Sequence, residues 1–287
     1  MDEFDALARL SDVLGVGDDC ATLNTPDEEN LLLTTDMLHD KTDFPDGITP
    51  RTVGWRTAAV SLSDVGGSGG RAVAVVAVYA APDFDELEEF VRGASEACES
   101  VGAEYVGGDL DGHDERTVVS TALGATDEPV GRDGARPGEV VAVTGALGRT
   151  AVALREFENG NVERANELFA FEPRVAEGKA LAPHATAMTD LSDGIAVGLH
   201  NLAEASDVSF EVERDSLPTL DDTRDEDLYV GEDYELLFTV PHDETDAVRD
   251  ALEATGTEMT LISETVEKKD MNVRMDGEPL RRRGYEH

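Results

Sequence analysis

The sequence predicts a two-domain α/β (α+β) chain, with mixed sheets flanked by helices, on three observations. Its 287 residues exceed a single small core and suit two domains of ordinary size. Its apolar runs switch repeatedly between a strand period of about two and a helix period of about 3.6. The switching breaks once, at Gly134-Ala135-Arg136-Pro137-Gly138, and then restarts. The expected domains are therefore residues 1–135 and 136–287.

Leu31 to Thr35 is a short strand ending at Asp36. A helix begins at Thr49-Pro50, with Thr49 as cap and proline at the first helical position. It runs through Trp55 and Val60 toward Asp64 and ends in Gly66-Gly67-Ser68-Gly69-Gly70. Arg71 to Ala80 is a strand. Phe84, Leu87, Val91, Ala94, Cys98 and Val101 then recur at helical spacing, with Gly102 at the C-terminal position. Ala103 to Val106 leads as a strand into the turn Gly107-Gly108-Asp109, and Thr117 to Leu123 is another strand. Beyond the break come a strand at 140–144, helices at 150–155 and 174–181, and a strand at 185–189. A helix at 195–205, strands at 208–212 and 234–240, a helix at 242–255 and short closing strands follow.

The formal charge of −40 excludes nucleic acid and anionic membranes as partners. Lysine is confined to Lys41, Lys179, Lys268 and Lys269, and the acid is spread along the whole chain. Such a surface repels itself until salt screens it, so a halophilic protein from a salt-rich cytoplasm is expected. No apolar stretch reaches the roughly 18 residues of a membrane span, and the acidic start is not a signal peptide. Cys20 and Cys98 fit no zinc or disulfide spacing and read as reduced, buried thiols. No phosphate-binding Gly-x-x-x-x-Gly-Lys loop, kinase-type catalytic loop or serine elbow is present. The six histidines show no metal-ligand spacing.

In so acidic a chain, a carboxylate is informative only where its setting is unusual. Five segments qualify: Gly15-Val16-Gly17-Asp18-Asp19-Cys20, Leu33-Thr34-Thr35-Asp36, Ser61-Leu62-Ser63-Asp64, Gly107-Gly108-Asp109 and Met188-Thr189-Asp190-Leu191-Ser192-Asp193-Gly194. They lie at strand ends or in glycine turns, where α/β folds place their sites. Oxygen ligands without histidine or cysteine suit Mg²⁺.

These segments, in this order, resemble the thiamine-monophosphate kinase family of the aminoimidazole ribonucleotide synthetase-like superfamily. The matching stretches are GVGDDCATL, LLLTTDML, GWRTAAVSLSDVGGSGG, EYVGGDL, GRDGARPGEVVAVTG, TDLSDGI and VGEDYELLFTVP. The resemblance implies a homodimer, with the N-terminal sheet paired across it, and an ATP- and Mg²⁺-dependent phosphoryl transfer to thiamine monophosphate. It implies that Asp19, Asp36, Asp64, Asp109 and Asp190, with Thr34 and Thr35, bind several Mg²⁺ ions, and that Asp193 holds another. Gly108, Asp109, Arg132 and Ser192 would contact ATP, and Glu232 and Tyr285 the substrate. Asp36, Asp64, Asp109, Asp190 and Arg132 would carry the catalysis. The chain departs from the pattern at Asp43, where bacterial relatives often have a substrate-contacting histidine; an acid there is expected to pair with the cationic thiazolium. Arg281-Arg282-Arg283 is the one basic run, either a solvated tail or a steering patch.

The nucleophile would be a phosphate oxygen with a second pKa near ~6, already ionised at neutral pH, so no general base is required. The alternatives are a sister ATP-dependent enzyme of the superfamily, a non-catalytic thiamine-phosphate or nucleotide sensor, and an Mg²⁺ phosphohydrolase.

Overall fold

In the computed structural model, residues 17–25 and 29–284 are described. The first half holds β1 (Ala21–Leu23), β2 (Asn30–His39), α1 (Asp40–Asp43), α2 (Pro50–Gly67), β3 (Arg71–Ala81), α3 (Leu87–Ser100), β4 (Glu104–Gly112) and β5 (Thr117–Thr126). Its sheet runs β1-β2-β5-β3-β4. All neighbours are antiparallel except β3 and β4, which α3 joins as a crossover. The second half holds β6 (Val140–Thr144), α4 (Arg149–Glu158), α5 (Val162–Phe169), α6 (Val175–Leu181), β7 (Ala187–Asp190), α7 (Ile195–Ala205) and β8 (Val208–Val212). After these come β9 (Leu236–Val240), α8 (Thr245–Glu253), β10 (Met259–Glu267), β11 (Val273–Met275) and β12 (Glu278–Pro279). Its sheet runs β12-β11-β8-β10-β6-β9-β7, so β7 lies at an edge.

Two strands outrun their sequence expectation, and both changes affect the site. β2 does not stop at Asp36 but pairs with β5 from Asn30↔Thr126 through His39↔Thr117, which leaves Asp36 mid-strand. Gly107-Gly108-Asp109 is no turn either: it continues β4 alongside β3, with a register shift at Val76.

Helix α2 is the central element. The Thr49 side chain accepts from Thr52 N, and Pro50 stands in the first turn, as capping rules require. It is buried nearly all round rather than along one stripe, because it lies between the first sheet and α3 and also touches α6 and β7. A Cβ on Gly54 would stand 1.9 Å from the Phe90 carbonyl oxygen, so α2 and α3 cross with their backbones in contact. The buried centre of α3 is Phe90, Ala94, Ala97 and Cys98. The two halves share a core, in which Tyr79 and Phe90 join Phe157, Phe169, Phe171 and Tyr234. Among the described residues no helix is long and apolar enough to cross a membrane.

Candidate active site

Three carboxylates from separate elements are each oriented by a hydroxyl. Ser61 Oγ donates to Asp36 Oδ2 at 2.7 Å and shares a 2.6 Å bond with Ser120 Oγ. Thr34 Oγ1 donates to Asp64 Oδ2 at 2.5 Å, and Ser63 Oγ to Asp190 Oδ2 at 2.6 Å. Helix α2 thus supplies one carboxylate and the hydroxyls for two others, while β2 and β7 bring their acids to its C-terminal half. A fourth carboxylate, Asp19, accepts from Thr189 Oγ1 at 2.9 Å and from Asp190 N at 3.2 Å. The approach is close: a Cβ on Gly67 would lie 2.3 Å from Asp19 Oδ2 and 3.0 Å from Asp190 N.

Burial pushes the Asp64 carboxyl well above its usual range, and Asp36, Asp190 and Asp19 push it further. Asp190 is raised for the same reasons, burial first and then Asp19, against the Ser63 hydrogen bond and Arg132. Asp64 also sits in the last turn of α2, where the helix carbonyls oppose a negative charge. Carboxylates gathered this way call for cations, and an all-oxygen donor set fits Mg²⁺. No three of the described acids converge on one point as the ligands of a single ion would. Asp36 and Asp64 instead line a shared space, with Asp190 and Asp19 behind it.

That space opens into a cleft of about 530 Å³ between the two halves, lined by Thr35, Asp36, Asp64, Ser192 and Asp193 on its polar side. Met37, Leu38, Val60 and Tyr234 supply an apolar side, and His39 and Thr42 also face it. Ser192 and Asp193 are held by the facing 231–235 segment, where Glu232 N donates to Ser192 O at 2.5 Å and Leu191 N to Glu235 O at 2.8 Å. Gly231 has φ +76°, and a Cβ there would stand 2.6 Å from Ser192 O, so the two turns meet backbone to backbone.

The structure places the remaining sequence-expected residues less simply. Asp109 is exposed on edge strand β4, in a register row with Val78, Val119 and Met37. Three strand spacings, about 14 Å, separate that strand from the strand of Asp36. Within one chain, neither Asp109 nor Gly108 joins the cluster. Arg132 is turned onto Asp19 and also reaches Thr189 Oγ1 at 3.2 Å and Gly17 O at 3.0 Å. Asp43 is 4% exposed and does not line the cleft. Its carboxylate turns back to accept from His39 N at 2.6 Å and Thr42 Oγ1 at 2.8 Å, so the expected thiazolium contact gives way to anchoring of the segment that presents His39 and Thr42. Glu232 is buried against Arg56, Oε2 to Nη2 3.0 Å, rather than turned into the cleft. Tyr285 lies outside the described residues; its neighbour Gly284 lies against the Asp193 carbonyl. The basic run is docked: Arg282 pairs with Glu204 at 2.8 Å, and Arg283 lies 5.5 Å from the Tyr229 ring centroid.

Sequence reasoning missed Ser61, Ser63, Ser120 and Thr189, the hydroxyl donors, and Tyr234 and Arg56. The one available signal was the spacing Ser61-x-Ser63-Asp64, which puts two donors and an acid within a single turn.

Residues 17–126 match the family model of the AIR synthase related protein N-terminal domain, and residues 136–276 that of its C-terminal domain. The chain is 46% identical to the thiamine-monophosphate kinase of Halobacterium salinarum over 100% of both chains. It is 37% identical to that of Methanospirillum hungatei, over 100% of this chain and 99% of the relative. Among solved structures, AaThiL complexed with AMPPCP and TMP matches at TM-score 0.89 and 28% identity, covering 100% of this chain and 97% of that one. The Escherichia coli hydrogenase maturation protein HypE matches at TM-score 0.69 and 20% identity, a likeness of fold alone.

Proposed function

The chain belongs to the thiamine-monophosphate kinase family, whose ATP-dependent phosphorylation of thiamine monophosphate to thiamine diphosphate it shares, and we propose that it does this at the hydroxyl-clamped aspartates of the cleft. The observation that carries this placement is that Asp36, Asp64 and Asp190 gather about the C-terminal half of α2, each oriented by a hydroxyl, with Asp36 and Asp64 lining a cleft that has one polar and one apolar side. The polar side suits phosphates, and the apolar side with Tyr234 suits the flat, cationic thiamine rings.

Asp19, Asp36, Asp64 and Asp190, with Thr34 and Thr35, would hold several Mg²⁺ ions, and Asp193 another on the facing wall. Bound there, the ions would neutralise the phosphates and clamp the attacking and leaving oxygens in line. The protein's own part is orientation. Hydroxyls fix each carboxylate, Ser192 and Arg132 bound the nucleotide end, and the substrate phosphate attacks already ionised, with no side chain taking its proton.

The first sheet has one face covered by helices, while Leu33, Met37 and Val76 stay 38%, 53% and 40% exposed on its strands. Met37 also lines the cleft. A second copy seated on this face would adjoin the cleft, and a homodimer of this kind is the route by which Gly108 and Asp109 would reach a site. The domain division at 135, a cytoplasmic location and a need for molar salt belong to the same reading.

The test is turnover of thiamine monophosphate with ATP and Mg²⁺ in about 2 M KCl, the salt being set by the acidic surface. Thiamine diphosphate whose formation requires both Mg²⁺ and the monophosphate is expected. Inorganic phosphate released without the second substrate would favour a phosphohydrolase, and ATP binding without transfer would favour a sensor. A sister enzyme acting through a reactive thiol is disfavoured, because burial and then Asp64 push the Cys20 thiol above its usual range.

A further inference from the structure

We infer that Arg56 is a positioning residue for the substrate end of the cleft, acting through the 231–234 turn; the inference rests on the kinase reading. Arg56 lies on α2, two turns before Asp64, and is 0% exposed. Its guanidinium stands 3.8 Å from the Phe169 ring centroid, Nη1 donates to Phe169 O at 2.9 Å, and Nη2 pairs with Glu232 Oε2 at 3.0 Å. The turn it grips is strained: Glu232 has φ 58° and Tyr234 φ 52°, both left-handed without being glycine. Tyr234 stacks on Phe171 at 4.1 Å and lines the cleft opposite Asp36 and Asp64. One ion pair therefore links the helix carrying Asp64 to the turn presenting Tyr234.

The pair is poorly suited to stability. Arg56 Nε and Nη2 and Glu232 Oε1 are buried without a hydrogen-bond partner. Two apolar side chains of similar volume would fill the space without desolvating charges. What such a substitution would not supply is the charge attraction that ties a left-handed turn to α2.

The experiment compares Arg56→Met, Arg56→Lys and the double variant Arg56→Met/Glu232→Met with wild type. Arg56→Met is expected to raise the KM for thiamine monophosphate about 10-fold while leaving that for ATP within about 2-fold. Arg56→Lys, keeping the charge, should recover part of the loss. The double variant should recover thermal stability but not the KM. A double variant that recovers both would overturn the inference, as would parallel losses in both substrates' KM. If Arg56→Met fails to fold, the double variant and Arg56→Lys decide alone. Trp55, the sole tryptophan, gives a readout free of turnover, since its Nε1 donates at 2.7 Å to the carbonyl of Phe171, the ring under Tyr234. Thiamine monophosphate should alter its fluorescence in wild type, with saturation shifted about 10-fold in Arg56→Met. An unshifted titration in that variant would also overturn the inference. Wild type that shows the titration but makes no thiamine diphosphate would sink the kinase reading and leave this one standing.

Discussion

The acids on the surface and those in the cleft are the same residues in opposite circumstances. On α3 and α8, Glu88 and Asp246 pair with Arg92 and Arg249 at 2.6 and 3.0 Å, yet remain 79% and 97% exposed. Water and salt screen such pairs, and they contribute little. Asp190 is buried and Asp64 half-buried, both are clamped by hydroxyls, and both are raised by desolvation and then by neighbouring carboxylates, Asp36 and Asp190 at Asp64 and Asp19 at Asp190. What separates a site from a charge run is therefore desolvation together with enforced orientation. The sharpest way to break the comparison is to neutralise both kinds of acid. Asp64→Asn and Asp190→Asn should each lower kcat/KM by about 10³-fold, on the scale of losing a transition-state electrostatic contact. Neither should lower the melting temperature, because each removes repulsion. Glu88→Gln and Asp246→Asn should leave kinetics unchanged; similar losses from both sets would erase the distinction.

Within one chain Asp109 belongs with the surface acids, which makes it the test of the dimer. Asp36→Asn and Asp109→Asn subunits should each be inactive alone. Mixed and allowed to exchange, half of the dimers would be mixed, each with one intact site, so about a quarter of wild-type activity should return if Asp109 serves its partner. No recovery would mean that Asp109 serves its own chain or none.

Gly67→Ala probes how closely the cleft acids are set. Its Cβ would intrude on Asp19 Oδ2 at 2.3 Å, and the side chain has room to give way only by moving the carboxylate. Activity should fall about 10-fold with folding intact, as expected when a positioned group shifts by a fraction of an ångström. The surface acids answer to salt instead. Their screening length shortens from about 10 Å at 0.1 M to about 3 Å at 1 M, so the melting temperature should climb through the molar range of KCl. A flat response would remove the halophilic reading.

Much of this was legible in the sequence where local chemistry decides the outcome. Thr49-Pro50 marked the start of α2, Gly102 closed the turn after α3 with φ +76°, and glycine- or strand-flanked aspartates marked the cluster. What stayed hidden depended on partners distant in the chain. Ser61 and Ser63 look like any helix hydroxyls until β2 and β7 arrive beside them. Arg56 looks like a surface cation until Phe169 and Glu232 enclose it. Tyr234 extends the apolar run Leu236–Val240 and reads as strand, but its left-handed backbone ends the strand short. Helix α5 is hard to read because its four apolar residues, Val162, Ala165, Leu168 and Phe169, span only two turns amid charge, and Ala165, Leu168 and Phe169 find their face in the core they meet. Asp43 was read as a substrate group from its position, whereas its carboxylate serves the backbone of His39.

The last expected effect concerns a buried acid outside the cluster. Asp233 accepts from Gly148 N at 2.8 Å and Thr150 N at 3.3 Å, holding the start of α4, where Gly148 has φ +90°. Burial raises its carboxyl from the ordinary 3.8 to about 7, against those backbone bonds. Between those two pH values the folded chain keeps a proton that the unfolded chain has released. The contribution to stability is thus complete below pH about 4 and is lost as pH rises toward about 7, by roughly 4 kcal/mol if the whole shift is realised. Asp233→Asn keeps an oxygen for Gly148 N without a charge to desolvate. Relative to wild type, its melting temperature should be about equal near pH 4 and higher above pH 7, the difference opening across that interval. Asp64 and Asp190 titrate in both proteins, so the difference isolates Asp233. A gap that is constant with pH would mean that Asp233 is ionised in the fold, stabilised by the α4 backbone as a surface cap would be, and would move it to the other side of the comparison.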